Sequence, residues 1–333
     1  MIPAMVEIAE DVLELAPDAL FFNYGNPMAP VCRAIRKATG APVVGLCHGV
    51  SHTAGYLAEV LSVPPIRFGY TAVGMNHLTW FTEARVDGTD AMPRLRELAE
   101  ERVARFPEGS LGHRFVESGT VDGPSADVAC PFSWSLFLLF GAFPAVLDRH
   151  VVEFFPQFFR DGKFYGKRLG IDSYSFEEVI SSGDRAYEEM QRDALSSDAL
   201  PGDYFVRKGG EHEQVVSIID DMREDSGSTY SVNLPNRGQV PNLPFDAVVE
   251  SPAIATAAGL RAISQPPLPA GVAGTLATRM MWVETIVEAA IEGDRDKFVQ
   301  ALVLDGCAQS LDIGSAMADE LLTAHAQYLP QFG

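Results

Sequence analysis

Apolar and polar positions change period several times along the chain, and the most regular alternation lies in the first 77 residues. Ile2, Met5, Val6, Val12, Leu13 and Leu15 form an uneven apolar face at helical spacing, which predicts an amphipathic helix over residues 2 to 15. Asp18 to Asn23 then reads as a strand. Pro27 to Lys37 returns to helical spacing with proline at its start, Gly40 stops it, and Pro42 to Leu46 is a second short apolar strand. A further helix fits 51 to 62, and Ile66 to Asn76 is a third strand. Helix and strand alternate as a parallel sheet requires, so residues 1–78 are expected to form part of a Rossmann-type α/β domain.

Beyond Trp80 the pattern changes. Arg94 to Arg105 reads as a charged helix, residues 109 to 127 are rich in glycine and turn formers, and 131 to 152 is an apolar, aromatic stretch suited to a deep helical layer. Helices are predicted over 175 to 193 and from 211 to 222. Short strands and turns alternate over 229 to 251, and three helices punctuated by Gly293 and Gly306 fill 273 to 327. The expected division is therefore 1–78 and an α+β domain over 79–333, without internal repeats.

Composition narrows the function classes. At 333 residues and 47% apolar content the chain buries a sizeable core as one large domain or two smaller ones. A net charge of -20 argues against nucleic acid and anionic membranes as partners. Cysteines 32, 47, 130 and 307 form no CxxC pair, which fits thiols in a reducing, cytoplasmic compartment. The first twenty residues are acidic and carry no basic residue, unlike a secretory signal.

Candidate chemistry sits at the strand ends. The first ends in Asn23-Tyr24-Gly25-Asn26-Pro27, the second in Gly45-Leu46-Cys47-His48-Gly49, and the third in Gly74-Met75-Asn76-His77. Neighbouring parallel strands would bring a thiolate and two imidazoles to one crevice, enough to hold a divalent metal. A buried structural cysteine beside a surface histidine is the plainer alternative. As a ligand, Cys47 favours zinc, iron or cobalt on softness. His150 and Glu153, one helical turn apart, make either a ligand pair or a hydrogen-bonded core pair. His212-Glu213 lacks the second histidine of a metalloprotease helix, since position 216 is Val216. Ser51 and His52 lack a GxSxG elbow. The amide- and proline-rich run from Asn233 to Pro244 is a loop, or a stiff surface suited to sugar hydroxyls.

Read in order, NYGNP at 23 to 27, GLCHG at 45 to 49, GMNH at 74 to 77, DRHVVEFFP at 148 to 156, VNLPNRGQVPNLP at 232 to 244 and AVVESPA at 247 to 253 resemble glycoside hydrolase family 4. These are NAD- and metal-dependent glycosidases, and the resemblance runs from near residue 1 to the C-terminus. It implies oxidation of the sugar C3 hydroxyl by NAD, removal of the acidified C2 proton, loss of the C1 oxygen, addition of water and re-reduction at C3. It further implies Cys47 and His77 as metal ligands, with manganese the family's usual ion despite the softness argument. By the same resemblance Asn26 binds substrate, His48 is the leaving-group acid and Asp148 the C2 base. Cys-His-Gly resembles the α-galacturonidase and α-glucuronidase group, so an α-linked uronide is expected. Arg149, with Lys167 or Arg168, would pair its carboxylate. A small saccharide substrate and a homodimer or homotetramer complete the expectation.

One departure stands out. No G-x-G-x-x-G turn for a dinucleotide pyrophosphate occurs, so the chain is expected to begin beyond that unit and to bind NAD poorly by itself. The competing expectations are a dehydrogenase of the lactate and malate type, which needs no metal pair, and an inactive remnant.

Overall fold

The computed structural model describes residues 1–104, 130–155, 176–200, 202, 204, 214–306, 308 and 310–333, leaving aside the side chains of Pro131, Arg149 and 176–179. The elements begin with α1 (Ile2–Leu15), β1 (Phe21–Asn23), α2 (Met28–Thr39), β2 (Val43–Gly45), α3 (Gly49–Val60) and β3 (Phe68–Met75). β4 (Leu78–Val86), β5 (Thr89–Asp90) and α4 (Met92–Val103) follow, then α5 (Pro131–Phe140), β6 (Phe143–Ala145), α6 (Asp148–Val151) and α7 (Phe176–Leu195). The last part comprises α8 (Val215–Glu224), β7 (Thr229–Pro235), β8 (Val248–Thr256), β9 (Gly259–Ala262), α9 (Ala270–Glu292), α10 (Arg295–Asp305) and α11 (Leu311–Ala324).

Local chemistry explains many of the boundaries. α2 buries Met28, Val31, Cys32 and Ile35 on one face, carries Arg36 and Lys37 in its last turn, and stops at Gly40, whose φ of 76° only glycine adopts without strain. Asp294 and Ser310 start the last two helices by accepting the amides of Lys297 and Ile313 on their side chains.

The α/β class is present, but the sheet is mixed. Its order is β1-β2-β7-β8-β3-β4-β5, with β6 beside β4 and β9 beside β8. β1 and β2 are parallel; β2 with β7, β7 with β8 and β8 with β3 are antiparallel. The expected run of three parallel strands therefore fails at β3. The connection Asn76-His77 is too short for a crossover, so β3 must return as a hairpin with β4, paired from Phe68↔Val86 to Met75↔Leu78. The expected domain boundary at 78 falls inside this hairpin, and one sheet runs through it.

Two packed layers enclose the sheet around the future site. Trp80, Val73 and Met75 pack with Leu276, Met280 and Val283 of α9, and Phe81 packs with Trp134, Phe137 and Phe143. The aromatic stretch thus lies deep as expected, although it is broken into α5, β6 and α6. Among the described residues no helix is long and apolar enough to cross a membrane.

Candidate active site

Cys47 and His48 lie between β2 and α3, in the two residues just before the helix begins at Gly49. The Gly49 amide donates to Cys47 Sγ at 3.4 Å, and the helix N-terminus adds partial positive charge, both of which favour a thiolate. Glycine is needed on either side. A Cβ on Gly45 would stand 2.5 Å from Met28 Sδ and 2.9 Å from Asn233 Cβ, and one on Gly49 would stand 2.6 Å from Val146 Cγ2. The second contact brings the segment leading into Asp148 against the start of α3.

His77 sits in the two-residue turn between β3 and β4 with φ 65°, a left-handed position that ordinarily suits glycine or asparagine. A histidine held there points to a task for its imidazole. Burial, then the neighbouring His150, then His48 push its pKa down to about 3, so it is neutral at ordinary pH and keeps a lone pair for a metal. The His150 ring stacks on it with centroids 4.1 Å apart and planes at 26°. Glu153 Oε1 lies 3.2 Å from His150 Nδ1 and fixes that ring from the other side. Beside His77, the side-chain nitrogen Nδ2 of Asn76 is buried with no hydrogen-bond partner among the described residues.

β2 and β3 are not neighbours, and following the pairings makes them run in opposite directions. The expected reason for convergence, adjacent parallel strand ends, is therefore wrong. What brings His48 within electrostatic reach of His77 is the chain after each strand, the start of α3 in one case and the hairpin turn in the other.

Asp148 has a different setting from the one expected of a base. It is 1% exposed, and its carboxylate accepts the Phe132 amide at 2.9 Å, the Ser133 amide at 2.7 Å and the Ser133 hydroxyl at 2.6 Å. These donors come from the N-terminus of α5 and tie the carboxylate to that helix. At the other end of the same segment Arg279, buried on α9, donates to the Phe154 carbonyl at 2.6 Å and to Asp305 Oδ1 at 2.9 Å. The segment bearing His150 is thereby fixed at both ends.

The amide-rich loop is also reassigned. Asn236 donates to the carbonyls of Val240, Leu243 and Pro244 and accepts the amides of Gly238 and Val240. Gln239 bonds likewise to loop backbone, and Asn242 donates to the Leu268 carbonyl and accepts the Leu268 amide, tying the loop to the segment before α9. Prolines here supply no amide donors, and these side chains make the bonds that a ladder would have made. Their polar atoms are spent on backbone rather than offered to a sugar.

Asn26 is exposed in the loop after β1, where a substrate can reach it. Lys167, Arg168, His212, Glu213 and the side chain of Arg149 lie outside the described residues. Ser51 donates to the His48 carbonyl as part of the helix start. Of the two readings of His150 and Glu153, the hydrogen-bonded pair is the one present, and what the sequence did not indicate is the stacking of His150 on His77. Among the described residues no group of three or more His, Cys, Asp or Glu is placed to hold a metal ion.

Fold and site together define an α/β protein whose thiol and imidazoles gather where loops leave a mixed sheet. The chain belongs to glycosyl hydrolase family 4: the family 4 glycosyl hydrolase model matches residues 1–63 and the model of the family's C-terminal domain matches 72–307. The α-galacturonidase of Bacillus subtilis (strain 168) is 29% identical over 99% of this chain and 72% of its own length. The α-glucosidase of Erwinia rhapontici is 27% identical over 99% and 72%. In structure, a 6-phospho-α-glucosidase from gut microorganisms, in complex with NAD and Mn2+, superposes with a TM-score of 0.77 over 99% of this chain and 73% of that one, at 17% identity. The family relationship sets the dehydrogenase reading aside.

Proposed function

We propose that this glycosidase acts on α-linked uronides with NAD and a divalent ion, most simply Mn2+. The observation that carries the reading is the buried, neutral His77, which lies within electrostatic reach of His48, the residue next to Cys47. Its support for uronides over other sugars is the Cys-His-Gly sequence and the similarity to an α-galacturonidase.

A thiolate and a neutral imidazole fit a divalent ion, and Cys47 and His77 would hold it beside substrate. Such an ion supplies Lewis-acid stabilisation of charge on sugar oxygens, and the nicotinamide supplies reversible oxidation at C3. No glycine-rich turn with dinucleotide spacing occurs in the sequence, so no residue of this chain is assigned to NAD. His48, beside the metal thiolate, donates a proton to the leaving oxygen, and Asn26 binds sugar hydroxyls. His150 and Glu153 hold the His77 ring in place. Asp148 anchors their segment on α5, and we assign it to positioning in place of the C2 base.

The test compares kcat/KM on an α-linked uronide, the matching neutral hexoside and a 6-phosphoglucoside, with NAD and Mn2+ present. The uronide should lead. Highest efficiency on the phosphosugar, or on the neutral hexoside in the manner of the α-glucosidase relative's name, overturns the substrate assignment.

A further inference from the structure

α7 differs from the other helices in what it shows to solvent. Ile180, Tyr187, Met190 and Leu195 on it are 62%, 73%, 59% and 79% exposed. By contrast α2 puts its apolar side chains into the core. Ile180, Gly183, Tyr187, Met190 and Ala194 follow one another at alternating steps of three and four residues, so they line one stripe at the a and d positions of a heptad. Arg185, Glu188, Glu189 and Arg192 lie on the opposite side, where Arg185 donates to the Ser181 hydroxyl at 2.6 Å. Asp184 and Asp193 flank the stripe, and the Tyr204 hydroxyl engages Asp193.

The order of side-chain sizes along the stripe is informative. Two copies of α7 laid antiparallel about a two-fold axis near Arg185 set a positions against d positions, which places Ile180 opposite the partner's Met190 and Gly183 opposite the partner's Tyr187. A Cβ on Gly183 would meet no atom within 4 Å, so the surface there is open enough to seat a ring. Large meets small at both central layers, and the stripe complements itself, as a two-fold contact requires. Parallel pairing would instead set tyrosine against tyrosine and glycine against glycine, one layer overfilled and the next empty. The stripe is also free of charge in a chain whose net charge is -20, so two copies can approach along it with the least repulsion.

We propose that α7 is a self-association surface, occupied by α7 of a second copy of this chain running antiparallel to it. Its seam is about 24 Å long at 1.5 Å per residue. One helix pair of that length buries less than the roughly 1,200 Å² at which stable interfaces begin, so the dimer is reversible and depends on concentration. Asp184, beside the middle of the seam, meets the partner's Asp184, and this like-charge contact holds the affinity down. The inference is independent of the glycosidase reading, because no residue of α7 belongs to the candidate active site.

Sedimentation velocity on the full chain, from about 1 to about 100 µM, reads the association. The wild type should pass from monomer to dimer within that range. Tyr187→Glu puts a charge into the seam, and Gly183→Leu fills the seat of the ring while favouring the helix itself, so each should weaken the dimer about a hundredfold or more without unfolding α7. Asp184→Asn should tighten it about threefold, and added salt should tighten the wild type more than this variant. Ala186→Cys, beside the axis, should join two chains under mild oxidation, whereas Arg192→Cys on the far side should behave as the wild type does. A wild type that stays monomeric throughout overturns the proposal. A dimer that withstands both Tyr187→Glu and Gly183→Leu overturns it too, because its contact then lies elsewhere. If the chain is monomeric and Tyr187→Glu lowers its melting temperature, the stripe is covered by its own chain and the proposal is wrong. Cross-linking through Arg192→Cys in place of Ala186→Cys overturns the pairing along the stripe.

Discussion

Replacing Asp148 by asparagine separates an anchor from a catalytic base. The carboxylate is buried and accepts three hydrogen bonds, two from amides in the first turn of α5 and one from Ser133 Oγ. Asparagine keeps one acceptor oxygen and turns the other into a donor facing a donor. Losing one charge-assisted bond costs about 1.5–3 kcal/mol, and an unsatisfied buried amide adds about 1–3 kcal/mol. Loss of an N-terminal helix partner by itself costs about 1 kcal/mol. These overlap, so the expected net loss is about 3 kcal/mol, roughly two orders of magnitude in the folding equilibrium. Urea unfolding measures it, and Ser133→Ala, which removes one of the same three bonds, should cost about 1 kcal/mol and be non-additive with Asp148→Asn. Exchange of the substrate C2 hydrogen in heavy water gives the chemical readout. If Asp148→Asn is as stable as the wild type, within about 0.5 kcal/mol, yet no longer exchanges at C2, the carboxylate is the base and the anchoring argument is wrong.

Three further outcomes follow from the same geometry. Burial raises Glu250 from its usual 4.5 to about 7 in the folded protein, so the unfolded chain releases that proton first and stability falls as pH rises through this window, by about 3 kcal/mol; Glu250→Gln should remove the fall, and equal urea midpoints against pH in both proteins would refute it. For His77 the sign is reversed: the folded value near 3 lies below the usual 6.5, so stability is lost as pH drops from 6.5 towards 3, and His77→Gln should flatten that acid limb of a thermal melt series. Gly74→Ala would set a Cβ 2.4 Å from the Leu78 carbonyl oxygen and 2.7 Å from Thr79 Cα, both backbone atoms, and should destabilise by about 2 kcal/mol or more; an unchanged melting temperature would show that the hairpin yields freely.

Periodicity alone placed most of the elements. α1, α2 and the strands ending at Asn23 and Gly45 were legible because each pairs an apolar spacing with a stop signal such as Gly40, and these are local properties of the chain. Residue order likewise marked Cys47, His48 and His77 as candidate positions, since thiol and imidazole chemistry belongs to the side chains themselves. Strand partnership was not legible. Residues 229 to 256 insert β7 and β8 between β2 and β3, and a pairing across so long a stretch of chain leaves no local pattern in either segment. The tasks of Asp148, Asn236 and Glu250 were hidden for the same reason. Each is a polar side chain whose meaning depends on its partners: an α5 terminus for Asp148, unpaired loop carbonyls for Asn236, and for Glu250 a threonine reached across a glycine. Sequence determined which groups exist and their local conformation; the tertiary structure decided which of them are buried together, and burial sets whether a carboxyl group anchors, bridges or takes up a proton.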